Sequence, residues 1–498
     1  MSRTATQTSA MVLAVLASLT FTRAAQAVDA TYLGGPDTLY TEGVRAVAVF
    51  DGDVYVAGET SSAAFPGVAG GAMDTLSGVL DLFVARLSPD LRTVLQATYF
   101  GGKEIEEFGG LAVTSDGVYI TGKSGSRELA GSGTGAQPRN AGGTDAFVAR
   151  LSRDLRHVEG STFFGGRGVD VGWAVTLADG SVYVTGFTTS VDLPATGDGA
   201  QSQLAGAGGA YPMDAYVARF SADLSTVRAT YLGGKDRDFG RALVVDGDTL
   251  WVAGSTDSSD FPGTLGGAQP IARGSSNATP VNDFAADNFV ARLDVELRRV
   301  EQATYLGGGS LEKVADLELG PTGDLYLAGA TTSRDHPFTG LGAQPTYRSK
   351  AECLVARLDA SLTGTPRASF LGGSGWDECD ALLALPEGVF VAGLTTSSNL
   401  PATAAGAQPI TGGHADAMIH QLTADLSVFI NGSYLGGASS DAGMSLAAET
   451  GRAGSTRAIY LGGSTDSPWF PFVSLGAQTT LEGVRDGFVS RWAPDLTH

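Results

Sequence analysis

The chain has 498 residues, 43% of them hydrophobic, with 70 glycines, 19 prolines and a formal charge of −21. So much apolar sequence excludes a disordered chain. The excess of 53 acidic over 32 basic residues argues against nucleic acid and anionic membrane surfaces as ligands, and favours divalent cations and basic partner surfaces.

Residues 1–27 read as a signal peptide: Arg3, the apolar run Met11 to Phe21, and Ala25-Gln26-Ala27 as a small-x-small cleavage sequence. The mature chain would start at Val28, and losing Arg3 and Arg23 takes the charge from −21 to −23. The run is shorter than the roughly 20 apolar residues that cross a bilayer, and no later stretch approaches that length, so no membrane insertion is expected. No Cys follows it to accept a lipid.

Tyr32-Leu33-Gly34-Gly35 then opens a repeat. It returns at Tyr99, Phe163, Tyr231, Tyr305, Phe370 and Tyr434, seven copies spaced about 67 residues apart. Within a unit, an apolar run such as Ala242 to Val245 meets the turn Asp246-Gly247-Asp248 and a second run, Leu250 to Gly254. Asp-Gly tolerates the positive φ of a tight hairpin. A long loop leads to a third strand, Asn288 to Leu293, and a fourth ends at Thr304-Tyr305-Leu306. Four strands per unit describe a propeller blade. Strands two and three are apolar almost continuously, as sheets covered on both faces require.

The chain begins with a fourth-type strand, Ala30 to Leu33, and ends just after a third-type strand, Gly487 to Trp492. Pairing the two would complete the last blade and leave no open sheet edge between the chain ends. The expectation is an all-β, single seven-bladed propeller over 28–498, with four antiparallel strands per blade and the N-terminal strand closing the ring.

The repeats resemble the SBBP repeat family. The resemblance rests on the Tyr-Leu-Gly-Gly ends, on Val54 to Gly58 with counterparts at Val118, Val182, Leu250, Leu325 and Val389, and on the Asp-x-Phe-Val-Ala-Arg-Leu segments at Asp81 and Asp145. It covers the whole mature chain and implies a seven-bladed propeller from an exported bacterial protein, secreted, periplasmic or on the cell surface. Blade seven departs most, with an extra stretch from Glu449 to Arg457.

Several side chains stand out. An acidic residue precedes the first strand in six units, at Glu42, Glu107, Asp170, Asp238, Asp377 and Asp441, with Leu311 breaking the pattern. As a rim at the channel these carboxylates would face a cation or a basic partner; as repeated residues they would accept hydrogen bonds from turn backbone. The third strand carries Arg86, Arg150, Arg219, Arg292, Arg357 and Arg491, with Gln421 in the remaining unit, each five residues after an acid. An Arg there is expected to reach a carboxylate or carbonyl of the next blade. Gly165 to Asp170 and Gly372 to Asp377 match the opening of a calcium β-roll repeat but lack its tandem copies, so calcium at a single loop is the only metal considered and no other cofactor is implied. Cys353 and Cys379, the only cysteines, would be free to pair in an oxidising compartment.

Loops between the second and third strands repeat Gly-Ala-Gln at Gly135, Gly199, Gly267, Gly342, Gly406 and Gly476. The longest runs from Ser255 to Asp287 with an insert at 273–286, and Trp376, Tyr211, Tyr347 and Trp469 occupy non-strand positions where aromatics could stack on sugar rings. Catalytic residues should occur once, yet nearly every notable polar residue repeats; Arg334, Asp335 and His336 form the densest unrepeated group. The leading expectation is therefore a binding protein that holds a partner protein or an extracellular polysaccharide on one propeller face. A polysaccharide lyase or glycoside hydrolase, and a structural component of an envelope or matrix assembly, are the alternatives.

Overall fold

The computed structural model describes residues 28–36, 42–206, 212–274, 284–451 and 454–498. Residues 1–27, where a signal peptide is expected, Tyr211 and the middle of the long insert, 275–283, lie outside the described residues. Seven four-stranded antiparallel sheets form the ring. In six of them the strands follow chain order; in the seventh the N-terminal strand Asp29–Leu33 pairs with the last strand Asp486–Trp492, Tyr32 opposite Phe488. The ends of the chain thus share one blade, as expected, and the extra stretch in that blade lengthens its first hairpin, Asp441–Thr450 with Thr456–Thr465. No helix among the described residues is long and apolar enough to cross a membrane.

The core is divided among the blade junctions. Tyr55, Ala57, Leu82 and Val84 of blade one pack with Val118, Ile120, Phe147 and Ala149 of blade two, and comparable clusters fill the other junctions. Second and third strands bury both faces, which is why their sequences run apolar without alternation.

A second contact stitches the ring near its outside. After each third strand an Asp-Leu or Glu-Leu turn places Leu91, Leu155, Leu224, Leu297, Leu426 or Leu496 in left-handed backbone, and Ser361-Leu362 does the same in blade five. All seven leucines are buried. The carbonyl of each accepts the N–H of the alanine in the preceding blade's Gly-Ala motif, from Ala72 to Leu155 round to Ala477 to Leu91.

First strands from adjacent blades pack against one another around the central channel. Each contains one β-bulge, where the register slips by a residue.

Candidate functional site

The seven bulges decide what faces the channel. A bulged residue is left unpaired and its side chain is re-aimed. The residues at that position, in blade order, are Arg45, Gly109, Trp173, Arg241, Ala315, Asp380 and Met444. All seven line one open cavity of about 610 Å³ at the end of the channel where the first strands begin. A position repeated in the backbone is thus unrepeated in chemistry. Two steps earlier on the same strands, Glu107, Lys313, Glu378 and Ala442 complete the lining.

Polar groups in the cavity are held in place. Arg45 donates from Nε to Glu59 at 3.3 Å, and Glu59 also accepts the Phe108 N–H of the next blade at 2.9 Å. Lys313 of blade five donates to Glu378 at 2.9 Å and to Asp380 at 3.2 Å, both on blade six. Those two carboxylates push the Lys313 ammonium well above the usual lysine range against the opposing effect of burial. The Trp376 indole N–H also bonds Glu378. The Arg241 guanidinium lies 3.5 Å from the centre of the Trp173 ring, which packs further against Phe187 and Phe239.

Below the mouth, a narrower stretch of about 310 Å³ shares Trp173, Arg241, Asp380 and Met444 and adds Asp316 and Glu318. Asp316 accepts backbone N–H groups of Leu317 and Leu382, and burial raises its carboxyl above the usual range. Burial raises Glu318 too, with the Asp316 charge as a second cause. Six carboxylates, at 59, 107, 316, 318, 378 and 380, share the two stretches with three cations, at 45, 241 and 313.

Five of the six acids singled out from the sequence lie just outside this cavity, and Glu107 lines it. Glu42, Asp170, Asp238, Asp377 and Asp441 are buried at the head of the first strands. In blade two the position belongs to Glu106, not Glu107, and in blade five to Glu312, beside the Leu311 that seemed to break the series; Glu107 itself is exposed and pairs with Lys123 at 2.9 Å. All seven acids accept the N–H of the second glycine of the preceding Gly-Gly, as from Gly166 to Asp170 at 2.8 Å. Each also accepts a hydroxyl from the end of the second strand, Thr or, in blade two, Ser124. They hold the backbone that displays the cavity, and burial raises the carboxyls of Asp170, Asp238, Asp377 and Asp441.

The third-strand arginines do less crossing than expected. Arg86 and Arg357 pair with Asp53 and Asp324 in the hairpin of their own blade, Arg150 with Glu159 and Arg292 with Glu301; Arg219 does reach the next blade, at Glu296. Antiparallel pairing sets Tyr55 opposite Arg86, so the hairpin acid two residues before that tyrosine is within reach. Cys353 and Cys379 form a disulfide from the third strand of blade five to the first strand of blade six, between Glu378 and Asp380 in sequence. His336 is buried where other blades carry Phe or Leu, and Tyr347 packs on Phe370, while Trp469 is 86% exposed. No group of three or more metal-ligating side chains occurs among the described residues.

No family model matches the chain, and no curated protein matches it. The likeness to SBBP repeats therefore rests on the motifs quoted above. Solved structures with similar backbones include a hydrazine synthase from Kuenenia stuttgartiensis, 10% identical, covering 86% of this chain and 94% of that one with a TM-score of 0.41. A protein of unknown function from Dyadobacter fermentans is 12% identical over 94% of this chain and 98% of its own, TM-score 0.39. A quinohemoprotein alcohol dehydrogenase from Pseudomonas putida is 9% identical over 93% and 76%, TM-score 0.40. Likeness at this level bears on neither ligand nor chemistry.

Proposed function

We propose that this is an exported binding protein that holds a partner protein on the face bearing the channel mouth, with a basic side chain of that partner entering the cavity. The observation that carries this reading is the set of seven bulges, which set two Arg, a Trp, an Asp, a Met, an Ala and a Gly around one cavity on an otherwise repeated frame. Charge complementarity supports the kind of partner: carboxylates outnumber cations in the lining. Aliphatic residues supply the surrounding contact. Ile105 and Val169, each just before a first strand, are 40% exposed, and Val79 and Val191 beside them are 51% and 66% exposed. A sugar ligand is less well served, because Trp173 is covered by Arg241 and Trp376 is engaged with Glu378.

A random peptide library selected on residues 28–498 tests the reading. It should enrich sequences carrying Lys or Arg; enrichment of acidic sequences would overturn it. A second reading, a polysaccharide-cleaving enzyme, draws on Asp316 and Glu318, two neighbouring channel carboxyls raised by burial as a general acid requires. Release of reducing or unsaturated ends from an acidic polysaccharide, lost in Glu318→Gln, would establish that reading instead.

A further inference from the structure

Each blade junction brings two buried carboxylates together over a glycine. At the junction of blades two and three these are Asp145, which starts a third strand, and Asp170, which starts the next first strand. A methyl group on Gly165 would sit 2.7 Å from Asp145 Oδ1 and 2.7 Å from Asp170 Oδ2, so both oxygens close over its Cα. Asp170 is fully supplied with donors: Thr188 on Oδ1, Gly166 N–H and Ser190 on Oδ2. Asp145 Oδ2 accepts from Ala141 N–H at 2.9 Å and Gln137 Nε2 at 2.6 Å, but its buried Oδ1 has no partner.

The same vacancy recurs at three more junctions. Asp214, Asp287 and Asp416 have Oδ2 bonded and Oδ1 buried without a partner, facing Asp238, Glu312 and Asp441. The remaining three junctions differ. Asp81 and Asp486 use both oxygens to accept backbone N–H groups, and Glu352 accepts the Arg348 N–H on Oε1 and the Gln344 side-chain amide on Oε2.

An unpartnered oxygen facing a second carboxylate needs a positive charge or a proton. Calcium takes six to eight oxygens, whereas a junction offers one unused oxygen and its opposing carboxylate, of which Glu312 Oε2 is also unpartnered. A proton needs only those two. We propose that four blade junctions each bind one proton, carried on Oδ1 of Asp145, Asp214, Asp287 and Asp416 and donated to the first-strand carboxylate opposite.

Mostly acids and phenols face each oxygen, and burial raises the opposing Asp238 and Glu312 as well, so the two carboxyls of a junction share the proton. Asp145 meets Asp170, Asp192 and the Tyr216 hydroxyl. Asp214 meets Asp238 and Tyr231, and Asp416 meets Asp441 and Tyr434. Asp287 meets Glu312, Tyr305 and the one partly opposing cation, Arg273. Burial pushes Asp145, Asp214 and Asp287 up to about 7 and Asp416 to about 6. Because the folded values lie above the unfolded ones, this stabilisation is full below about pH 4 and is lost as pH rises through 6 to 7.

Asp145→Asn tests the proposal, since the amide reproduces the protonated acid. At pH 8 it should melt about 2 °C above the wild-type protein and at pH 4 within about a degree of it. The infrared band of protonated carboxyl groups at pH 5.5, beyond that of the unfolded chain, should lose the area of one carboxyl in the variant. Asp486→Asn, at a junction without the unpartnered oxygen, should lower melting at both pH values. Asp145→Asn melting below wild type at pH 8, or an unchanged carboxyl band, would overturn the proposal; so would a fall in wild-type melting at pH 8 on adding a chelator.

Discussion

At the residue scale, the repeated glycines and leucines are fixed by contacts rather than by turn statistics. Gly165 leaves no room for a methyl group between two carboxylates, so Gly165→Ala should cost about 2–3 kcal/mol in urea unfolding through overpacking. Leu155 is buried and anchors the Ala72 N–H, and Leu155→Ala should cost about 2–4 kcal/mol. His336 points the other way. It fills the slot of Phe65, Phe261 and Phe470 with neither ring nitrogen bonded, and burial lowers its pKa to about 3. A depressed histidine gives stability that is present above about pH 6.5 and lost as pH falls toward 3. His336→Phe should therefore raise stability by about 1–2 kcal/mol at pH 7, and by more at pH 5, in paired denaturation curves.

At the scale of strands and blades, the sequence shows the frame better than the site. The Asp-Gly hairpins and the doubly apolar strands are legible because each is a local pattern that recurs from blade to blade, and the chain ends are legible as the two pieces that complete one more copy. The buried acid of the first strand is legible only when counted from Gly-Gly. Its partner is the second glycine's N–H, four residues earlier in six blades, and that spacing finds Glu106 and Glu312 directly. Counting back from the apolar run misplaces it in blade two, since Gly109-Gly110 hides where that run starts. The channel lining is harder to see. A bulge has no signature beyond one extra residue, and Arg45, Trp173, Asp380 and Met444 share no chemistry that would mark them as equivalents. The disulfide also acts at this scale. It ties blade five to the strand carrying Glu378 and Asp380, so replacing both cysteines with Ala should cost about 2–4 kcal/mol, read as a lower melting temperature that reductant no longer changes.

For the whole molecule, closure depends on five residues at one end of the chain. Asp29–Leu33 supplies the outer strand of blade seven, and Tyr32 bonds the Ser467 carbonyl and the Phe470 N–H across it. A protein starting at Glu42 should expose that sheet edge, and it is expected to sediment as aggregates rather than as a monomer with a single melting transition. A closed ring makes the channel mouth rigid, which in turn lets the residues of seven bulges act as one surface.

That joint action is the central claim, and calorimetric titration tests it. The strongest basic peptide from the library would be titrated into wild-type protein and into the double variant Asp380→Ala and Met444→Ala. These side chains project from bulges into an open cavity, so the melting temperature should stay within about 2 °C. The account predicts at least a ten-fold loss of affinity, about 1.4 kcal/mol. Unchanged affinity in a variant that melts normally would contradict it and place the binding surface elsewhere on the ring.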